Sequence, residues 1–138
     1  MLTAMLSSYQ LPRFVPLIFV IGWVAFGTPE AAASWIYISQ SQGYVSNYVD
    51  KTTIRPTKEK TITVWSKSEY KVPNENGWRS AIGLLEADCK NKRSRLLALV
   101  AFDQSSLSGH KVHQETETYP WTKATPNSNA ALFLAAVC

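Results

Sequence analysis

The chain has 138 residues and a formal net charge of +4, with 46% hydrophobic and 17% charged residues and only two cysteines. It contains no internal repeat, no low-complexity tract and no linker that would divide it into several domains, so we expect one domain with a modest core. The small positive charge is compatible with an anionic partner but does not require one.

The first 33 residues have the order of a secretory signal peptide. Arg13 supplies a positive charge, residues 14–27 are apolar, and residues 31–33 are the alanines after which an exported precursor is cleaved. The apolar stretch of 14 residues is shorter than the roughly 20 that a membrane-spanning helix needs. We therefore expect a cleavable signal peptide at residues 1–33, with an uncleaved membrane segment as the alternative. Residues 34–138 then form a single exported domain without a transmembrane segment.

Alternating side chains predict three strands in the first half of this domain, at residues 34–40, 44–50 and 61–70. A separate extended piece at residues 52–55 is followed by Pro56, which cannot donate a hydrogen bond to a neighbouring strand. The first two strands are expected to form a hairpin around the turn at residues 41–43.

Residues 80–103 predict the central hairpin of the sheet, with a charged turn at residues 90–94. Its second arm is apolar on both faces, which is typical of a strand buried on two sides. We expect a helix against one face, and a loop, a second layer or another subunit against the other.

The remaining residues predict an edge strand at 110–118, a loop at 119–126 and a helix at 127–138. Ser128 or Asn127 is the expected N-cap. The buried stripe of the helix is expected at Leu132, Leu134, Ala135 and Cys138. Since strands come first and one helix comes last, we predict an α+β fold, an antiparallel sheet of about six strands with the C-terminal helix packed on one face.

The two cysteines, Cys89 and Cys138, are predicted to form a disulfide, because exported domains favour disulfides over free thiols. Two buried thiols are the alternative. The bond would tie the C-terminal helix to the central hairpin and stabilise the fold by roughly 4 kcal/mol.

Two groups of residues are candidates for a binding surface. Basic side chains crowd the central hairpin turn. They either form a solvated turn that prevents association with the edge of another sheet, or they bind an anion. Aromatic side chains on the strands and loops belong mostly to the core, but exposed ones are typical of binding surfaces. The candidate surface consists of Lys90, Lys92, Arg93, Arg95, Trp65, Tyr48 and Trp78.

The sequence does not indicate an enzyme. His110 and His113 have no third ligand nearby for a metal, and the chain has no nucleophile motif with a matching base. Glu86 and Asp88 are two apart on a strand, and we interpret them as a solvated face. We expect no catalytic residue, no metal and no cofactor, and export makes nucleic acid an unexpected partner.

The chain resembles the surface-adhesin protein E family of small exported bacterial domains. The resemblance rests on Trp35 in the first strand, the strand from Tyr44 to Asp50, Val64–Trp65, the E-x-D-C ending at Cys89 and the A-F-D ending at Asp103. It continues with T-P-N-S before a short helix that ends in Val-Cys. The resemblance implies a six-stranded antiparallel sheet, a C-terminal helix, the disulfide, a tendency to form homodimers, and attachment to host matrix and plasma proteins.

One departure from the family bears on location. The chain lacks the cysteine that carries a lipid in the adhesin that names the family, so we expect a periplasmic or secreted protein of Gram-negative type that is not lipid-anchored. The favoured function is an exported non-enzymatic binding module with an unknown protein or glycan partner from the host or the envelope. The alternative is a periplasmic inhibitor of an extracytoplasmic enzyme such as lysozyme, which a protein of charge +4 would repel.

Overall fold

The computed structural model describes residues 32–138, and the predicted signal peptide lies outside these residues except for its last two positions. In this part the chain forms seven strands and one helix: β1 Trp35–Ser41, β2 Val45–Pro56, β3 Ile62–Tyr70, β4 Ser80–Asp88, β5 Arg93–Phe102, β6 Lys111–Glu115, β7 Thr122–Lys123 and α1 Asn129–Val137. All strand pairs are antiparallel, in the order β1-β2-β3-β4-β5-β6, and β7 also pairs with β5. The predicted α+β architecture is confirmed.

Strand β2 is longer than predicted, because the extended piece at residues 52–55 continues it. The register against β3 shifts between Asp50 and Arg55, and hydroxyl groups replace the ladder bonds that the shift removes. The Thr53 hydroxyl accepts a bond of 3.0 Å from the backbone N–H of Trp65 and donates one of 2.6 Å to the carbonyl of Asp50. Pro56, at the end of the strand, lies opposite Ile62.

The edge of the sheet beyond β5 is shared by two short strands. The predicted edge strand is shortened to β6, which pairs with the second half of β5. The prediction of a loop at residues 119–126 is wrong at its centre, where β7 pairs with the first half of β5 and places Lys123 opposite Arg93. Backbone bonds flank this pairing, since the N–H of Tyr119 donates to the carbonyl of Leu96 and that of Ala124 to the carbonyl of Lys92, each at 2.9 Å, whereas Pro120 supplies no N–H.

Helix α1 begins after Ser128, whose hydroxyl accepts a bond of 3.1 Å from the backbone N–H of Ala131. This is the expected N-cap geometry. The prediction of its buried stripe is right only for Leu134. The buried side chains are Phe133, Leu134 and Val137, whereas Leu132 is 46% exposed and Ala135 and Cys138 are also exposed.

The core lies between α1 and one face of the sheet, which we call the helix face. Val49, Val64 and Ala87 are fully buried there against Phe133 and Leu134. The described part of the chain places no helix on the opposite face, which we call the open face. No helix in residues 32–138 is long and apolar enough to cross a membrane.

The disulfide between Cys89 and Cys138 is confirmed, with 2.05 Å between the sulfurs and 5.7 Å between the Cα atoms. Cys89 directly follows β4, and Cys138 directly follows α1. The bond therefore fastens the end of the helix to the β4–β5 turn, and both cysteines remain exposed.

Candidate functional site: a basic pole of the sheet

The β4–β5 turn presents lysines at one end of the sheet. Asp88 closes the turn, because its carboxylate accepts bonds from the backbone N–H of Asn91 at 3.1 Å and from the Asn91 side-chain amide at 2.8 Å. Lys92 adopts a positive φ of 51°, and both Lys90 and Lys92 are exposed. The turn is thus held in a defined shape by contacts that leave the lysine ammonium groups in solvent.

The prediction that Glu86 and Asp88 form a solvated face is wrong, because both are buried and paired with the arginines directly opposite on β5. Arg95 donates to Glu86 at 2.8 Å, and Arg93 donates to Asp88 at 2.9 Å. Glu86 also accepts a bond of 2.5 Å from the hydroxyl of Thr61. A buried carboxylate needs such partners, since an unpaired charge would be costly to remove from water.

Trp121 lies over both arginines. The guanidinium carbon of Arg93 is 4.6 Å from the centre of the indole ring, and that of Arg95 is 4.3 Å away. The pairing of β7 with β5 positions this ring, since Trp121 immediately precedes β7. Attraction between the cations and the negative ring face stabilises this stack.

The positive charge of the chain is concentrated at this end of the sheet. The strand register brings the β2–β3 turn, the β4–β5 turn and β7 together here. They contribute eight basic and three acidic side chains, whereas the rest of residues 32–138 has five basic and six acidic ones. We call this end the basic pole: Arg55, Lys58, Lys60, Lys90, Lys92, Arg93, Arg95 and Lys123, with Glu59, Glu86 and Asp88.

The predicted aromatic candidates Trp65 and Tyr48 lie on the open face, in the middle of the sheet. Trp65 is 38% exposed. The ammonium of Lys67 lies 4.7 Å from the Tyr48 ring centre and 5.3 Å from that of Trp35. These residues form an aromatic surface on the same face as the Glu86–Arg95 pair, as the alternation along β3 and β4 requires.

Trp78 does not join this surface. Its ring stacks on His113 with 5.0 Å between ring centres and meets the edge of Tyr70 at 6.5 Å. By alternation from Val64, Tyr70 lies on the helix face, at the end of the sheet remote from the basic pole. The structure therefore divides the seven predicted surface residues into three groups: the four basic ones together, Trp65 with Tyr48, and Trp78 alone.

Two carboxyl groups have lowered pKa values. The hydrogen bond from the Asn91 side chain is the largest cause of the low pKa of Asp88, and the backbone of Asn91 and the guanidinium of Arg93 add to it against the opposing effect of burial. For Asp50 the hydroxyl of Thr52 is the largest cause of the lowered pKa. Both groups are therefore held as carboxylates by their local bonds.

Sequence reasoning missed the contribution of Trp121, Lys123 and Lys60 to the basic pole. These residues are remote in sequence from the hairpin turn, and only the pairing of β7 with β5 and of β3 with β4 brings them there. The two ion pairs could have been predicted from the sequence. A hairpin with its turn at residues 89–92 places Glu86 opposite Arg95 and Asp88 opposite Arg93.

Within residues 32–138, no group of three or more His, Cys, Asp or Glu side chains is arranged to hold a metal ion. His110 is exposed and contacts Asp103 at 3.3 Å, while His113 is stacked on Trp78. The charged and aromatic surfaces described above suit recognition of a partner.

Comparison with known proteins identifies a family and similar solved structures. The family model described as surface-adhesin protein E matches residues 35–138. No curated protein matches the sequence. Among solved structures, crystal form II of Haemophilus influenzae protein E is similar, with a TM-score of 0.54 and 13% sequence identity, over 73% of this chain and 91% of that one. At that identity the structural likeness concerns the fold alone.

Proposed function

The chain belongs to the surface-adhesin protein E family, and we propose that it is an exported, non-enzymatic binding module that attaches to an acidic protein surface through its basic pole. The observation that carries this proposal is the charge separation along the sheet. The basic pole has a net side-chain charge of +5, while the other described residues sum to −1.

The arrangement of charges suits an acidic partner. Lys90, Lys92 and Lys123 are exposed and form no ion pair with any side chain in residues 32–138. Long-range attraction by such a cluster increases the rate of encounter with a negatively charged surface, and added salt weakens it. The lysines therefore supply attraction, while the paired arginines supply a fixed shape.

The indole of Trp121 favours a protein as the partner. Tryptophan and arginine are enriched among the residues that contribute most to protein–protein affinity. Because Arg93 and Arg95 are held by Asp88 and Glu86, the stack with Trp121 loses little side-chain freedom on binding. A flexible polyanion would use the lysines but would gain less from this fixed stack.

Biolayer interferometry of the purified protein against a panel of purified matrix and plasma proteins tests the proposal. The variant Lys90→Gln/Lys92→Gln should bind a partner at least tenfold more weakly, mainly through a slower association rate. Lys71→Gln/Lys111→Gln is the matched control, because it removes the same charge from exposed sites outside the basic pole and should bind as the wild type does.

Two outcomes contradict the proposal. One is that no protein on the panel binds, and the other is that both double variants bind with equal affinity. A heparin-coated sensor forms the second arm of the experiment. Binding to heparin without binding to any protein would assign the basic pole to sulfated glycans instead.

We also propose that the protein acts outside the cytoplasm, in the periplasm or in secreted form. The predicted signal peptide and the Cys89–Cys138 disulfide support this, because disulfides persist in oxidising compartments. Fractionation of cells that express the full chain tests it, and recovery in the cytoplasmic fraction would contradict it. No observation on the described residues favours the alternative of an enzyme inhibitor.

A further inference from the structure

A cavity lies on the helix face, which is opposite to the open face, and away from the lysines of the β4–β5 turn. It occupies the part of the sheet that α1 leaves uncovered, next to the first turn of the helix at Asn129 and Ala130. Its volume is about 300 Å³, which is at the lower end of the range of ligand sites. We call it the serine groove, after the side chains of Ser39, Ser41, Ser66 and Ser68 that line it together with Asn47.

The polar side of the groove is organised around Asn47. Its amide nitrogen donates to the hydroxyl groups of Ser39 at 3.3 Å and Ser41 at 3.1 Å, and its amide oxygen accepts from Ser68 at 2.9 Å. Ser66 donates to the carbonyl of Gly83 at 3.1 Å. Three strands thus fix four neutral polar groups in one network around Asn47, and Ser66 is held separately by β4.

The hydroxyl groups of the groove have unused hydrogen-bonding capacity. Within residues 32–138 the hydroxyl protons of Ser39 and Ser41 have no acceptor, while the oxygens of Ser66 and Ser68 have no donor. Ser39 is only 5% exposed. A buried hydroxyl whose proton has no acceptor gains free energy when a ligand in the groove supplies one.

The other side of the groove is apolar. It is lined by Leu96, Leu99 and Phe133, and Gly83 leaves space at its base because it has no side chain. A Cβ atom at Gly83 would lie 3.2 Å from Leu96 Cδ1 and 3.3 Å from Ser66 Oγ, so a larger residue there would crowd the groove. The ligand must therefore combine an apolar surface with an edge of neutral hydrogen-bonding groups.

The groove presents no charge to a ligand. Lys67 is the one charged residue that lines it, and its ammonium lies on the open face, against Tyr48 and Trp35. A second depression of about 560 Å³ continues from Ser41, Asn47 and Ser68 past Tyr44 and Tyr70. The combined site is elongated, and its far end carries the aromatic residues together with Glu75.

We propose that the serine groove binds a neutral saccharide. A pyranose ring has an apolar C–H face and an edge of hydroxyl groups that both donate and accept, which matches the two sides of the groove. The aromatic residues in the second depression suit the C–H face of a further sugar unit, since their ring faces are negative. The absence of charged groups in the groove disfavours anionic sugars and phosphates.

The test is a titration of the isotope-labelled protein with glucose, galactose, N-acetylglucosamine and their disaccharides, followed by two-dimensional NMR. At least one sugar should cause saturable shifts of the Asn47 side-chain amide and of the backbone amides at residues 66–68. Ala130→Trp should abolish these shifts by filling the groove, whereas Ala135→Trp, at an exposed position of the same helix, should leave them unchanged.

A smaller change tests the polar side of the groove in case the tryptophan variant does not fold. Ser68→Ala removes one hydroxyl and should weaken binding about fivefold, while Ser105→Ala, in an exposed loop, should have no effect. Lys90→Gln/Lys92→Gln should leave the sugar titration unchanged, so failure here is distinguishable from failure of the basic pole.

Three results would overturn the proposal. The first is that no sugar of the panel causes saturable shifts in the groove. The second is that an uncharged peptide such as Gly-Ser-Gly with both termini capped causes the same shifts at lower concentration. The third is that the groove resonances shift with protein concentration alone, which would show that a second copy of the chain occupies the groove.

Discussion

Replacing Cys89 and Cys138 with alanine removes the covalent link between the β4–β5 turn and the end of α1. The two residues are 49 apart in sequence, and in the chain-entropy model the loss of a crosslink over such a loop lowers the free energy of unfolding by about 4 kcal/mol at 25 °C. Both residues are exposed, so the substitutions leave no buried cavity that would add to this value. Against a typical total of about 5–15 kcal/mol, the loss is large.

Urea unfolding of the wild type and of the double alanine variant, monitored by circular dichroism and tryptophan fluorescence, measures this loss. The wild type with its disulfide reduced is the matched control, and its stability should equal that of the variant. A nine-residue helix is too short to be stable by itself, so we also expect weaker helical signal before the main transition. A loss below about 1 kcal/mol would refute the reasoning, because packing alone would then hold the helix.

Three further predictions concern the helix and the ion pairs. Ser128→Ala should lower the free energy of unfolding by about 1 kcal/mol in urea titrations; an unchanged midpoint would contradict its role as the N-cap. Phe133→Ala should cost about 3–5 kcal/mol, whereas Leu132→Ala, at an exposed position, should cost much less; equal losses would contradict the observed helix rotation. Because the folded-state pKa of Asp88 is lowered, its carboxylate stabilises the fold above its unfolded pKa of about 4, and this stabilisation is lost as the pH falls through the lower folded value. Asp88→Asn should therefore lower stability at neutral pH and reduce its loss in acid, and a variant with the wild-type pH profile would contradict the hydrogen bonds from Asn91 and Arg93 as the cause of the lowered pKa.

The strands were predictable because their side chains alternate. Ile62 and Val64 indicated one buried face of β3, and Val64 is indeed fully buried. The apolar second arm of the hairpin predicted a strand buried on both faces, and this is wrong: β5 lies fifth in the order of six strands, and Ala101 is its one buried residue. The pair Cys89–Cys138 was predictable because the chain has only two cysteines and its first 33 residues have the pattern of a signal peptide.

The rest depended on contacts that a local pattern does not encode. Almost every residue of α1 is apolar, so periodicity could not distinguish Leu132 from Phe133 as the buried neighbour. The register shift in β2 uses the hydroxyl of Thr53 in place of a ladder bond, and such a substitution has no signature in the hydrophobic pattern. Trp121 reaches the basic pole only because β7 pairs with β5. The prolines at 120 and 126 favoured a loop there, so the sequence did not indicate this strand.

The pairing of Glu86 with Arg95 has a consequence for how homologous sequences diverge. If only one member of the pair were replaced, the other would be left as a poorly compensated ion beside Thr61, whereas replacing both with apolar residues of similar volume is often tolerated. Substitutions at these two positions should therefore be correlated among related proteins, with lineages keeping both charges or losing both together.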